Sequence, residues 1–199
     1  MTKVLLIGLA VYGLVAFGWR SFVQWRRTGS TGFRGLSGKA FSGAWIGGVS
    51  FVVALLAVVL APVADLAELP RLFDLPTPLA ACGFALFSVG LAITVLSQVH
   101  MGDSWRIGVD AGERTGLVHT GLFRVVRNPI FSAMWLTVAG VLLVVPNVLS
   151  VLALVALTAA LELQVRLVEE PYLLRTHGDA YRRYAAAVGR FVPGLGRLR

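Results

Sequence analysis

Four charged residues in the last quarter of the chain stand at spacings that matter chemically. Glu162, Arg166, Glu169 and Glu170 fall at i, i+4, i+7 and i+8, which places them on one face of an α-helix. Carboxylates accept hydrogen bonds from hydroxyl and ammonium groups, and a guanidinium grips a carboxylate with two parallel donors. A stripe of this kind at the end of an apolar helix either binds something or pairs with itself as an interfacial ion cluster. A second group precedes it. Arg124 and Arg127 are three residues apart and suit a carboxylate between them. Asn128-Pro129 marks a helix start, because proline at the first helical position loses nothing by lacking an N–H. Backbone N–H groups at such a start favour anionic ligand groups. Gly116 and Gly121 punctuate the loop before it. Taken singly, these are ordinary features of helix boundaries.

The elements that must position these residues are apolar helices. Hydrophobic residues make up 57% of the 199 positions and charged residues only 14%, with a mean hydropathy of +0.78. A soluble domain needs more charge than that to cover its exterior. A membrane span needs roughly 20 apolar residues, and the candidates are Val4–Trp19, Phe41–Ala64, Pro78–Leu96, Ile130–Val145 and Val148–Leu161, the last running on to about Val165. None alternates as a barrel strand would, so helices are expected. Pro146-Asn147 leaves room only for a tight turn, which makes the last two spans an antiparallel hairpin. Pro171 is expected to bend or end the fifth helix, with Tyr172–Tyr184 forming a separate short amphipathic helix. Gly43 and Gly47 read as a helix-packing notch.

The basic residues fix an expected orientation. The loop Arg20–Lys39 carries five, the loop Val99–Asn128 four and the segment from Arg166 seven. With five crossings all of these fall on one side, and only Lys3 and Arg71 fall on the other. The positive-inside rule then predicts the N-terminus outside and the C-terminus in the cytoplasm, in a cell membrane if the source is prokaryotic. It also favours an uncleaved first span over a signal peptide. The expected fold is an all-α integral membrane bundle of about five transmembrane helices. It forms a single membrane domain, with three spans over 1–98 and a functional core over 99–199.

Several function classes are disfavoured. The first four spans contain no Asp, Glu, Lys or Arg, and no internal repeat is apparent, which argues against an ion or solute path. The formal charge of +8 lacks the exposed aromatic interleaving of a nucleic-acid module. His100, His119 and His177 lack metal-ligand spacing, so no metal is expected, and no phosphate-binding glycine loop is present. Cys82 stands alone in an apolar run. The oligomeric state is not encoded in any of these features.

Read jointly, the two polar segments carry a pattern. The first runs Leu117-Val118-His119-Thr120-Gly121-Leu122-Phe123-Arg124-Val125-Val126-Arg127-Asn128-Pro129-Ile130-Phe131. The second runs from Glu169-Glu170 through Leu173, Gly178 and Tyr181 to Tyr184, preceded by Arg166 and followed by Arg190-Phe191-Val192-Pro193. Their order, spacing and intervening hairpin resemble the isoprenylcysteine carboxyl methyltransferase family of integral membrane methyltransferases. Wider relatives of that family include the phospholipid N-methyltransferases. The resemblance spans roughly Val99 to Pro193. Where the family pattern has His before the proline this chain has Asn128, and two tyrosine positions are Phe123 and Phe131. Asn keeps hydrogen-bonding capacity without titrating near neutral pH.

The resemblance implies S-adenosylmethionine as methyl donor, held in a cytoplasm-facing pocket made by the last helical hairpin, the preceding loop and the C-terminal tail. It implies that Thr115, Gly116, Leu117, Val118, Gly121, Phe123, Asn128, Pro129, Ile130 and Phe131 line the adenosyl and methionyl portions. Glu169 or Glu170 would accept from ribose hydroxyls or the ammonium, and Arg127 would neutralise the cofactor carboxylate. The implied acceptor is lipophilic, in contact with membrane lipid, and most simply a prenylcysteine-like carboxylate oriented by Arg166. A lipid amine or small hydrophobic thiol is the second acceptor class, and a non-catalytic membrane scaffold the third reading.

Overall fold

A computed structural model of the chain describes residues 1–32, 38–105 and 116–198. Six helices carry the described part of the fold. α1 is Thr2–Thr28, α2 is Gly43–Leu66, α3 is Thr77–Met101, α4 is Pro129–Val144, α5 is Val148–Gln164 and α6 is Glu170–Ala187. Among the described residues there is no strand, only an isolated parallel bridge between Val126 and Gly189. The helices containing α1, α2, α3 and α5 are long and apolar enough to cross a membrane, and α4 is a shorter apolar helix. The result is an all-α membrane bundle. Large apolar side chains such as Ile7, Leu56 and Val155 stay well exposed on its outside, as lipid-facing residues would.

Small residues bring the spans together. A side chain has little hydrophobic reason to leave lipid for a neighbouring helix, so close backbone approach and hydrogen bonds take over. On α3 and α4, Gly83 and Gly140 face each other. A Cβ built on either would lie 2.7 or 2.5 Å from the other's carbonyl oxygen, and one on Gly90 would lie 2.2 Å from Thr137 Oγ1. On α2 and α5, Gly43 and Gly47 do form the expected notch, which receives Leu167, Leu163 and the Ala160 backbone.

The α4–α5 turn is fixed by Asn147, which is fully buried. Its Oδ1 accepts from Leu149 N and Ser150 N, each at 3.1 Å, and its Nδ2 donates to Ala61 O on α2 at 2.8 Å. Ser150 Oγ closes the capping box by accepting from Asn147 N at 3.2 Å. A lipid-facing bond from Trp135 Nε1 to Thr158 Oγ1, 2.9 Å, ties the hairpin further along.

Three local expectations are corrected. α1 does not stop near Trp19. It passes through a π-helical turn, Leu14–Trp19, and continues to Thr28, so Arg20, Arg26 and Arg27 lie on helix rather than loop. The buried Arg20 and Gln24 then cap the far end of α3: Arg20 donates to Gly102 O and Gln24 Nε2 to Asp103 O at 2.8 Å. This satisfies carbonyls that a helix end leaves open.

Second, Pro171 does not end a helix. A second π turn, Val165–Glu169, directly precedes it, and the helix runs on through the proline to Ala187; the changed register of a π turn is where a helix accommodates such an irregularity. The break comes at Gly178 instead, with φ 50° and ψ −123°. Third, that π turn holds one residue more than an α turn, so it rotates α6 relative to α5. Glu162 and Arg166 pair on the exposed side, whereas Glu170 turns into the protein.

Replacing Asn147 by Ala should cost about 1–2 kcal/mol for the lost cap and leave the Ala61 carbonyl without its side-chain partner. Asn147→Asp should keep the cap but set a buried, unpaired carboxylate oxygen against the Ala61 carbonyl, and so destabilise more than the alanine change. Unfolding of the two variants in detergent, compared with the parent, checks this ordering.

Candidate functional site

The polar end of the bundle is organised by Glu170, whose carboxylate is 9% exposed. Arg127 NH2 donates to its Oε1 at 2.8 Å. Arg190 donates from Nε to Oε1 at 2.8 Å and from NH2 to Oε2 at 3.0 Å. Arg127 also donates to the carbonyls of Ala185, 3.3 Å, and Gly196, 2.9 Å. A buried carboxylate is tolerable only when paired and hydrogen-bonded like this. Glu170 beside it holds the Arg190 guanidinium above its usual pKa.

The tail after α6 is laced to the start of α4. Arg127 N donates to Gly189 O at 2.8 Å, and Asn128 donates from both N and Nδ2 to Arg190 O at 3.1 Å. Ser132 Oγ donates to Phe191 O at 2.6 Å. Gly189 has no room for a side chain: a Cβ there would lie 2.2 Å from Val192 O and 2.7 Å from Leu195 O. Tyr184 OH donates to Phe123 O at 2.6 Å. Burial pushes that phenol up to about 12, so it remains a donor at any physiological pH.

Beneath this clasp lies a cavity of about 660 Å³, within the usual range for a small-molecule site. One end is polar and aromatic, with Trp105, Arg127, Asn128, Glu169, Tyr172 and Tyr181 on its wall. The other end descends between the spans and is apolar, with Phe17, Phe51, Val52, Leu55, Ile130 and Met134.

Most of the residues singled out from sequence meet here. Gly116, Leu117, Val118, Phe123, Arg127, Asn128, Pro129, Ile130, Phe131 and Glu169 all line the cavity. Gly121 does not. Its φ is 56°, and a Cβ would lie 2.6–2.8 Å from the His100 ring, so it lets the loop close on the end of α3. Glu170 stands behind the wall as the clasp. Arg166 is exposed and engaged with Glu162, off the cavity wall. Thr115 lies outside the described residues.

Sequence reasoning did not assign sites to Arg190, Ser132, Trp105, Tyr172 or Tyr181. The motif ending Arg190-Phe191-Val192-Pro193 was the available signal for the first. Nothing in the apolar spans advertised Tyr12, Thr94 or Gln98, which also line the cavity.

The sequence profile of the phospholipid methyltransferase family matches residues 79–180. That stretch covers half of the chain and contains α3, the loop, the hairpin and the start of α6. The chain belongs to the phospholipid methyltransferase family. None of the curated proteins matches it in sequence. This family shares a superfamily of integral membrane methyltransferases with the isoprenylcysteine carboxyl methyltransferases. Membership makes the protein a membrane methyltransferase, and methyltransferases of this kind in general use S-adenosylmethionine.

The residues of this phospholipid methyltransferase family member fit that donor. Arg127 Nε is buried and has no hydrogen-bond partner among the described residues, while its side chain borders the polar end. An Arg donor, a carboxylate and several aromatic faces match the carboxylate, ammonium and adenine of S-adenosylmethionine.

Removing the clasp should be costly, because taking one partner from a buried ion pair leaves uncompensated charge, typically about 3–5 kcal/mol. Glu170→Ala should therefore destabilise strongly, and Arg190→Ala less, since Arg127 keeps its carboxylate. Hydrogen exchange at residues 188–198 should accelerate in both, together with Gly189→Ala.

Proposed function

We propose that the protein transfers the methyl group of S-adenosylmethionine to a lipophilic amine at the cytoplasmic surface of the membrane. The observation that carries this reading is a continuous cavity that joins a polar, aromatic end to an apolar shaft between the spans. A water-soluble donor and a lipid-tailed acceptor need such a shared space. The basic end of the bundle, with Arg26, Arg27, Arg127, Arg182, Arg183 and Arg190, is the cytoplasmic one by the positive-inside rule.

Bound S-adenosylmethionine supplies an electrophilic methyl carbon next to a sulfonium. Gly116, Leu117 and Val118 offer backbone groups to it, Phe123, Phe131 and Tyr172 offer apolar faces, and Arg127 places a positive charge beside the polar end, where its carboxylate would lie. These side chains also keep water from the reacting groups. Orientation is the main service, since holding two reactants in line converts a bimolecular reaction into a local one.

The choice of acceptor follows from where the charges sit. A carboxylate acceptor, such as a prenylcysteine, needs a cation over it. Arg166, the sequence candidate for that role, pairs with Glu162 away from the wall, and Arg127 is committed mainly to Glu170 and two carbonyls. Glu169 lies on the wall. A carboxylate there attracts an ammonium and takes its proton, which leaves the nitrogen lone pair able to attack. The family description, phospholipid methyltransferase, points the same way.

Purified protein should bind S-adenosylmethionine at equilibrium. Folded protein that does not bind it removes both acceptor readings in favour of a non-catalytic scaffold. Labelled-methyl transfer to membrane lipid amines should exceed transfer to a prenylcysteine analogue.

The pH dependence separates the two. An amine acceptor titrates near 10, as a lysine does at about 10.4; in Glu169→Gln no carboxylate among the described wall residues takes its proton, so the residual rate should rise about tenfold per pH unit from 6 to 8. A carboxylate acceptor is ionised throughout that range and gives a flat profile. Glu169→Gln should lower turnover about a hundredfold, and Arg166→Ala should leave it within a few-fold. Loss of turnover in Arg166→Ala with donor binding intact would restore the carboxylate acceptor.

A further inference from the structure

Arg20 belongs to the first span and is only 8% exposed. It donates from NH2 to Gly102 O and, at 3.1 Å, to Gln24 Oε1. Its Nε is buried and has no hydrogen-bond partner among the described residues. Capping α3 does not call for a cation. Gln24, one turn further along α1, is neutral and caps the same helix end by donating to Asp103 O. A buried guanidinium with one hydrogen bond unmade is a costly substitute for an amide. The charge must be compensated by something other than the cap.

The compensating group is Trp105. The Arg20 guanidinium carbon lies 4.9 Å from the centroid of the indole, within the range at which a cation is attracted to a ring face. Trp105 is 3% exposed and lines the cavity near Ser21, Met101 and Ser104. Arg20 is off the cavity wall, so it backs the indole and does not meet what the cavity holds. A ring with a cation on one face is a poor seat for a second cation, because the two charges repel across it at low dielectric. A neutral flat base meets no such opposition and stacks on the indole.

We propose that Arg20 is a positioning residue that holds Trp105 as the stacking wall for the donor's adenine. The proposal rests on the use of S-adenosylmethionine and adds which ring takes its base. S-adenosylmethionine carries its carboxylate and its adenine at opposite ends. Arg127 belongs to the clasp of α4, α6 and the tail, with the Tyr181 ring 6.0 Å from its guanidinium. Trp105 is held instead by α1 and the end of α3. With the carboxylate toward Arg127, the adenine goes to the indole, and the sulfonium is kept off it. The first span thereby serves the donor although no charge of its own reaches the cavity.

Equilibrium binding of S-adenosylmethionine, S-adenosylhomocysteine and adenosine to the purified protein tests this. S-adenosylhomocysteine lacks the sulfonium charge. Trp105→Leu should weaken all three by a similar factor, about tenfold, the size of one base–aromatic stack. Arg20→Met should weaken them about threefold to fivefold, and Arg20→Lys, which keeps the charge, should recover part of that loss. Arg20→Gln takes the place of the methionine variant if that one does not fold. In the double variant Arg20→Met, Trp105→Leu the arginine change should add nothing, because it acts through the ring. Adenosine should also quench tryptophan fluorescence in the parent and much less in Trp105→Phe.

If Arg20 serves only as a cap, its loss adds in full to that of Trp105→Leu, and the positioning role is overturned. A Trp105→Leu loss confined to S-adenosylmethionine would put the sulfonium on the ring and overturn the adenine assignment. Unchanged affinity of Trp105→Leu for all three would overturn it too. Each of these results leaves the methyl-transfer reading standing, because the parent binds the donor. Folded parent that binds none of the three overturns both.

Discussion

The carboxylate of Glu170 is shared by two guanidiniums that come from opposite ends of the functional half of the chain. Arg127 precedes α4, and Arg190 follows α6. Neither arginine could be buried alone, since an unpaired charge taken out of water costs several kcal/mol. Together with the main-chain bonds from Arg127 and Asn128 to Gly189 and Arg190, they turn three separate segments into one wall. The cavity beneath owes its polar end to that wall.

Two π turns set the registers that make this possible. After α5 the turn rotates the helix between Arg166 and Glu170, so that neighbouring charges in sequence serve different surroundings. In α1 the turn frees the Ala16 carbonyl for Gln98 and precedes the arginine that caps α3. Each is an irregularity in a span that otherwise carries no polar cue, and each stands at the cavity or its support.

Five apolar segments, the tight hairpin turn and the Gly43–Gly47 notch were legible because they depend on hydropathy, loop length and residue size, all local properties. The stripe of Glu162, Arg166, Glu169 and Glu170 was legible as chemistry but misplaced in space, because a regular period was applied across a π turn. Pro171 was expected to bend or end the helix, and instead a π turn directly before it lets the helix run on to Ala187. The tail's contribution was hidden because its bonds to α4 are main-chain bonds, which leave no side-chain signature beyond a glycine at 189. Tyr12 was invisible as a site residue, since one tyrosine in an apolar run has no partner in its own sequence neighbourhood.

The clasp also bears on the order in which this molecule can be assembled. Residues leave the ribosome from the N-terminus, so Arg127 enters the nascent chain before Glu170, and Arg190 arrives only after the five spans. Until then the loop before α4 has a cation with no counter-charge and a main chain with no partner for Arg127 N and Asn128 N. Membrane insertion must therefore be complete before the polar wall can close, and a bundle lacking Arg190 and Phe191 would hold the shaft without the roof.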